Sequence, residues 1–172
     1  MKFVLKTLVL MCAVLGGNAW ADLGDQYVLG KLGIMSVKKD NADALGSLGV
    51  LYGYGLTPEI TVESELNLGW FGGKYQQKNA HGNYRIWTVA GYGVYRYLVG
   101  DTTYLKGKLG VLYENVRRTV AENSDQVSRS LGFAGGIGAG TRIADALTLE
   151  AEITGIDKDI IFYSLGLHYA FK

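Results

Sequence analysis

Residues 160–171 read I-I-F-Y-S-L-G-L-H-Y-A-F, and their alternation decides the fold. Every second residue is apolar or aromatic, in the set Ile161, Tyr163, Leu165, Leu167, Tyr169 and Phe171. A period of two is the period of a β-strand and not of a helix. Aromatic residues near both ends of an apolar face are typical of a strand whose outer face meets lipid. The stretch therefore predicts a membrane-facing strand.

The opposite end of the chain has the pattern of a secretory leader. Lys2 and Lys6 give a basic segment, residues 7–17 an apolar one, and Ala19 and Ala21 an A-x-A cleavage site. The apolar run is shorter than the roughly 20 residues that a spanning helix needs. We therefore expect a signal peptide over residues 1–21 and a mature domain over residues 22–172.

Removal of this leader limits the chemistry of the mature chain. The single cysteine, Cys12, leaves with it, and Met11 stands where a lipoprotein signal places a small residue. We therefore expect no disulfide, thiolate nucleophile or cysteine metal site. Loss of two of the 17 basic residues leaves 15 against 16 acidic ones, so no basic bias points to nucleic acid.

The composition favours strands over helices. A mean hydropathy of +0.10 with 19% charged residues is too polar for a helical membrane protein. The 25 glycines, 12 tyrosines and single proline suit twisted strands joined by tight turns. At about 10 residues per tilted strand, the mature domain accommodates eight. We therefore predict an all-β fold, an eight-stranded antiparallel up-and-down transmembrane β-barrel.

Alternating segments and the polar stretches between them give the predicted strand order. The sharpest alternation lies in residues 60–70, where a slip of one residue would turn Glu63 and Glu65 into lipid. Residues 38–44, 72–82 and 117–126 read as long polar loops, and the connections between those loops read as short turns. The seventh connection, around residues 157–159, is shorter than this alternation of lengths predicts.

The inward faces of these strands collect charges of both signs. We expect a network of interior ion pairs between five basic and five acidic residues, namely Lys31, Arg96, Lys106, Lys108 and Arg142 with Glu63, Glu65, Glu114, Glu150 and Glu152. Buried charges persist only when they are paired and hydrogen-bonded. Eight strands enclose an interior just wide enough for side chains. The sequence therefore predicts a filled interior without a wide channel.

No catalytic, cofactor or metal site is expected from these residues. The carboxylates at i and i+2 lie opposite basic residues, which favours structural pairing over catalysis. Ser164 and His168 share a face, but four strand residues place them about 13 Å apart. We expect His168 to be an interior hydrogen-bonding residue and His81 a loop residue in water.

A glycine series in the sixth predicted strand has two possible interpretations. Gly135, Gly136, Gly138 and Gly140 lack the G-x-G-x-x-G spacing and following helix of a nucleotide loop. Small residues that leave room for Arg or Tyr across the barrel are the favoured interpretation.

Three turn-plus-strand stretches and the closing strand carry a family resemblance. They read T-P-E-I-T-V-E-S-E-L, G-D-T-T-Y-L-K-G-K-L-G, A-D-A-L-T-L-E-A-E-I and L-G-L-H-Y-A-F. Together with the leader, they resemble the small outer-membrane barrels that include OmpX, the membrane domain of OmpA and the opacity-type adhesins. Lys172, after the final aromatic residue, departs from the usual ending.

The resemblance implies an integral outer-membrane protein with a structural or surface-interaction role through its extracellular loops. It implies a monomer whose closing strand is read by the barrel-assembly machinery, in contact with outer-membrane lipid and lipopolysaccharide, with a host or surface ligand at the loops. The basic residues that could contact lipopolysaccharide phosphates, or simply be solvated, are Lys74, Lys78, Arg117, Arg118 and Arg129. A narrow pore, a lipid-A-modifying enzyme and a soluble secreted barrel are the alternatives.

Overall fold

The computed structural model describes residues 25–37, 44–71, 74–77, 80–120, 124–156 and 160–171. The predicted leader, with Ala19, Ala21 and Cys12, lies outside the described residues, as do residues 38–43, residues 157–159 and Lys172. No helix in the described part of the chain has the length and apolar character needed to cross a membrane.

The described residues form nine β-strands. They are β1 (Gln26–Val37), β2 (Leu45–Gly55), β3 (Ile60–Phe71), β4 (Lys74–Gln77), β5 (Ala80–Val99), β6 (Thr103–Val120), β7 (Ser124–Ala144), β8 (Leu147–Ile156) and β9 (Ile160–Phe171).

Antiparallel pairing of these strands closes a ring. The hydrogen-bonded order runs β3-β2-β1-β9-β8-β7-β6-β5, and β3 pairs with β5 to complete the circle. Short β4 pairs with the start of β5, from Lys74↔Asn83 to Gln77↔Ala80. Within the described residues, eight strands therefore form the barrel wall and β4 is an addition at one rim. The predicted eight-stranded antiparallel up-and-down barrel is confirmed.

Two of the predicted long loops are wrong in large part. Residues 74–77 and 80–83 form a hairpin instead of a loop, and β6 and β7 stay paired out to Val120↔Ser124. The sequence of these segments has polar residues at both odd and even positions, so it lacks the alternation that marks a half-buried strand. As a result, β5, β6 and β7 have 20, 18 and 21 residues, against 10 to 12 in the other wall strands.

Side chains alternate between a buried inner face and an exposed outer one. Leu109 and Phe133 are 77% and 82% exposed, whereas Glu65 is 1% exposed. The same alternation runs through β9, where Tyr163 and Leu165 are exposed between buried neighbours. The wall is therefore apolar outside and polar inside.

Apolar side chains occupy the interior at both ends of the barrel. The cluster toward the long-strand rim includes Met35, Leu45 and Phe162, and the cluster at the short-turn rim includes Leu29 and Leu51. On β1, the charged residue Lys31 lies between Leu29 of the second cluster and Met35 of the first.

Inward-facing glycines make room for long side chains from neighbouring strands. A Cβ added at Gly140 would collide with the ring of Tyr104, and one at Gly138 would lie 3.3 Å from Cγ and Cε of Lys106. The glycine series of β7 thus accommodates a tyrosine, as predicted, and also a lysine. Outward-facing Gly107 has nothing within 4 Å of an added Cβ.

This difference predicts opposite effects of adding one methyl group. Gly140→Ala should lower the free energy of unfolding by about 1 to 3 kcal/mol, because Tyr104 must move. The matched control Gly107→Ala should be neutral or stabilising by up to about 1 kcal/mol. Urea unfolding in lipid vesicles measures both, and equal effects would contradict the packing described here.

Candidate functional site

Eight charged side chains meet inside the barrel and are here called the interior cluster. It consists of four bases and four acids, Lys31, Arg96, Lys106 and Lys108 with Glu63, Glu65, Glu150 and Glu152. None of these side chains is more than 6% exposed. Their formal charges cancel, which removes the main cost of burying any one of them.

The ring order places acids and bases in alternate quadrants of the barrel. Glu63 and Glu65 come from β3, and Glu150 and Glu152 from β8, which lies four strands away in a ring of eight. β1 and β6, which contribute three of the lysines, are likewise opposite each other. Each acidic strand therefore faces the other across the lumen, with basic strands between them.

Glu152 and Glu65 hold one half of the cluster. Oε1 of Glu152 lies 3.2 Å from Nζ of Lys31 and 2.6 Å from Nζ of Lys108. The two oxygens of Glu65 bind the same lysines, at 2.7 Å for Lys31 and 2.8 Å for Lys108. Two carboxylates and two ammonium groups thus form a closed square.

Lys106 connects this square to the other half. Its Nζ lies 2.7 Å from Oε2 of Glu152, 2.7 Å from Oε1 of Glu150 and 3.5 Å from Oε1 of Glu63. Glu63 also lies 3.4 Å from Nη2 of Arg96. All eight residues therefore belong to one continuous network.

Neutral side chains hydrogen-bond to each of the four carboxylates. Tyr27 donates to Glu63 at 2.7 Å and Tyr104 donates to Glu150 at 2.5 Å. Asn67 donates to Glu65 and Thr154 to Glu152, both at 2.6 Å. None of these four partners was predicted from the sequence, although Tyr27 and Tyr104 share the alternating face of Lys31 and Lys106.

Aromatic rings pack against the cations and close the cross-section. The guanidinium of Arg96 lies 4.6 Å from the ring centroid of Tyr27 and 5.0 Å from that of Tyr104. Nζ of Lys108 lies 4.1 Å from the centroid of Tyr92. Such contacts are attractive because the ring face is electron-rich.

Two residues assigned to the predicted network lie elsewhere along the barrel. Glu114 and Arg142 are half-buried, on strand segments beyond Lys108 and Gly140, and each makes interactions of its own. His168 is buried, and its ring packs 4.1 Å from that of Tyr27. Its Nδ1 has no hydrogen-bond partner among the described residues, so packing is the contact that the structure shows.

The outer face of β9 has the exposure expected of a lipid-facing strand. Its exposed residues are Tyr163, Leu165, Leu167 and Tyr169. Phe171 is half-buried and meets Tyr169 edge to face at 5.4 Å.

The geometry of the interior cluster supports a structural role. Each carboxylate contacts at least one cation and a neutral donor, so the cluster ties five strands together across the lumen. Among the described residues, no group of three or more His, Cys, Asp and Glu side chains is placed to hold a metal ion.

Comparison with known proteins gives a family and several similar structures. The model of the outer membrane protein β-barrel domain matches residues 7–171. OprG of Pseudomonas aeruginosa is 16% identical, with a TM-score of 0.72 over 90% of this chain and 99% of that one. Ail, the attachment invasion locus protein of Yersinia pestis, is 16% identical, with a TM-score of 0.63 over 86% and 99%.

Neisserial surface protein A shows the same fold, with 11% identity and a TM-score of 0.62 over 86% of this chain and 96% of that one. The sequence matches no curated protein. At these identities, the structural likeness establishes the fold.

The network predicts strong coupling between Glu152 and Lys108. Glu152→Gln alone should destabilise the barrel by about 3 to 5 kcal/mol, because it leaves buried lysines under-compensated. Adding Lys108→Gln restores neutrality, so the double variant should lose less than the sum of the single losses. Urea unfolding of the four proteins gives the coupling energy.

Glu59→Gln, on an exposed turn, is the matched control and should change stability by less than about 0.5 kcal/mol. Additive losses from Glu152→Gln and Lys108→Gln would show that the two groups do not interact as described.

Proposed function

The chain belongs to the outer membrane protein β-barrel family and lies in the outer membrane, and from this premise we propose that it is a structural or surface-interaction protein. It acts through the strands that rise beyond the membrane on its extracellular side. It is neither an enzyme nor a wide pore.

The asymmetry of the two rims supports an orientation. β5, β6 and β7 extend at one rim, whereas the opposite rim has tight connections at residues 56–59, 100–102 and 145–146. Outer-membrane barrels keep short turns in the periplasm and long connections outside. The extended rim is therefore assigned to the cell exterior.

One feature of the extended rim carries the proposal of surface interaction. β7 pairs with β6 out to Ser124, but its register with β8 ends at Ala134↔Ile156. Over residues 124–133, the second edge of β7 therefore has no strand partner among the described residues. An open strand edge presents backbone donors and acceptors to which a partner can add a strand.

The interior and the outer wall argue against a pore, a lipid-modifying enzyme and a soluble barrel. The interior cluster and the two apolar clusters occupy the lumen, which opposes a pore. Ser164 and His168 are buried on β9, where a lipid-modifying enzyme would need them at a membrane edge. An outer wall with Leu109, Leu131 and Phe133 at least 77% exposed would be costly in water, which opposes a soluble barrel.

The proposal also includes the export and membrane assembly of the chain. Residues 1–21 direct secretion and are removed, and the alternating closing strand is read by the barrel-assembly machinery. The mature domain, residues 22–172, then remains as a monomer among outer-membrane lipid and lipopolysaccharide, with a host or surface ligand at its extracellular strands.

The orientation can be tested by labelling single cysteines in intact cells. Ser128→Cys places a thiol on the exposed part of β7, and Asp101→Cys places one on an exposed turn at the opposite rim. A membrane-impermeant maleimide should label position 128 in intact cells and position 101 only after lysis. Labelling of position 101 alone in intact cells would show that the barrel has the opposite orientation.

The surface role can be tested with a shortened barrel. Val116 and Ser128 are register partners, so residues 117–127 can be replaced by an Asn-Gly turn. Because the barrel wall is retained, this variant should still fractionate with the outer membrane and show heat-modifiable migration. It should lose at least about tenfold in cell adhesion to the surface that the full chain binds.

The adhesion probes are an immobilised basement-membrane protein, a serum protein and a sulfated polysaccharide. The last is included because a structure of Ail contains the heparin analogue sucrose octasulfate. If cells that lack the protein, contain it or contain the shortened form adhere equally to all three surfaces, the proposed surface interaction is wrong.

A further inference from the structure

Two strands on one side of the barrel repeat the sequence of two strands on the other. Residues 27–34 of β1 read Y-V-L-G-K-L-G-I, and residues 104–111 of β6 read Y-L-K-G-K-L-G-V. In β3, residues 60–66 read I-T-V-E-S-E-L, and in β8, residues 147–153 read L-T-L-E-A-E-I. Each strand lies four places from its repeat in the ring of eight. The repeats are therefore related by a half-turn about the barrel axis.

The strand register shows that both repeats belong to one larger unit. In each half of the barrel, three inward residues on adjacent strands are register partners. In β1, β2 and β3 they are Tyr27, Gly53 and Glu63. In β6, β7 and β8 they are Tyr104, Gly140 and Glu150. Alternation accounts for polar inward residues, but it does not account for the same residue types at the same register across three strands.

The interior contacts follow the same half-turn. In both halves the tyrosine ring lies over the glycine of the next strand, and the tyrosine hydroxyl donates to the glutamate, at 2.7 Å in one half and 2.5 Å in the other. Nζ of Lys31 lies 2.7 Å from Glu65, and the equivalent contact, from Lys108 to Glu152, is 2.6 Å. The closed square of these four residues is therefore its own image under the half-turn.

One pair of positions breaks this equivalence. Lys106 on β6 corresponds to Leu29 on β1, because the two residues hold the same place in the repeat. Gly138, the register partner of Lys106, corresponds to Leu51, the register partner of Leu29. One half of the barrel therefore has a lysine over a glycine where the other half has two leucines.

The missing lysine has a consequence for the carboxylate that it would contact. Oε1 of Glu150 lies 2.7 Å from Nζ of Lys106. In the equivalent Glu63, Oε2 is buried and has no hydrogen-bond partner among the described residues. A buried acceptor without a donor lowers stability. The first half therefore has an acceptor for a lysine that its sequence lacks.

We propose that the barrel is an internal dimer, in which β1, β2, β3 and β5 are one copy of a four-stranded unit and β6 to β9 are the other. Each unit binds the other as it would bind a second copy of itself. The two seams, β5 with β6 and β9 with β1, are then equivalent interfaces. Leu29 and Leu51 occupy the counterpart of the position of Lys106, so the lysine can be moved from one unit to the other.

The test moves this lysine between equivalent positions. The variant L29K/K106L keeps the composition of the chain, but Leu51 should obstruct the moved side chain, because in the second unit Lys106 passes over a glycine. Adding L51G should therefore raise the urea midpoint in lipid vesicles by at least about 1 M above that of L29K/K106L. In the wild-type background the same L51G should lower the midpoint, because Leu51 is 0% exposed.

A control variant and a second measurement separate the half-turn from a general effect of glycine. S47G changes another buried inward residue of β2, and it should shift the midpoints of the wild type and of L29K/K106L equally. E150Q should lower the midpoint of the wild type at least about twice as much as that of L29K/L51G/K106L. The reason is that the moved lysine should lie beside Glu63 instead of Glu150.

Three outcomes would contradict the internal dimer. They are failure of L51G to raise the midpoint or the folded yield of L29K/K106L, an equal rescue by S47G, and an equal effect of E150Q in both backgrounds. Heat-modifiable gel migration measures the folded yield, so a variant that does not fold also gives a result. None of these measurements depends on orientation or adhesion, so the internal dimer and the proposed function are tested separately.

Discussion

The structure depends on the need to neutralise charge inside a ring that is too narrow to hold bulk water. Eight strands leave room for little more than their own side chains, and alternate residues of every strand must point inward. A charged residue in that position needs partners on other strands. The interior cluster meets this need because acidic β3 and β8 alternate with basic β1 and β6 around the lumen.

The same constraint explains which inward positions are small. Lysine and tyrosine side chains that reach toward the barrel axis first pass over a neighbouring strand. Gly138 and Gly140 lie beneath Lys106 and Tyr104, and a Cβ at Gly49 would lie 2.8 Å from Cγ of Lys31. Strands with long inward-facing side chains therefore lie next to strands with inward-facing glycines. The length of the inward side chains on one strand thus limits the size of the inward residues on its neighbour.

Sequence periodicity was sufficient to predict the fold, but it could not predict which inward-facing side chains contact each other. Alternation in residues 60–70 and 160–171 assigns each residue to a face, because a strand with one face in lipid cannot tolerate a slip. Contacts between inward-facing residues of different strands depend on ring closure, as when Lys31 meets Glu152 across 121 residues. Neutral donors such as Tyr27 could be assigned to the inner face, but their acceptors could not. The extended parts of β5 to β7 lack alternation because polar residues stand at both odd and even positions of their sequence.

The division between a neutral interior and a charged outer rim separates stability from recognition. Charges within the interior cluster cancel over a few ångströms, and the wall shields them, so they contribute little field outside the barrel. Arg85, Arg117 and Arg129, by contrast, are exposed on the outer face of the wall. A substitution in the lumen should therefore act on folding, whereas one at the rim should act on what the barrel contacts. The two properties can vary independently because they lie on opposite faces of the same strands, with β6 contributing Lys106 and Lys108 to one and Arg117 to the other.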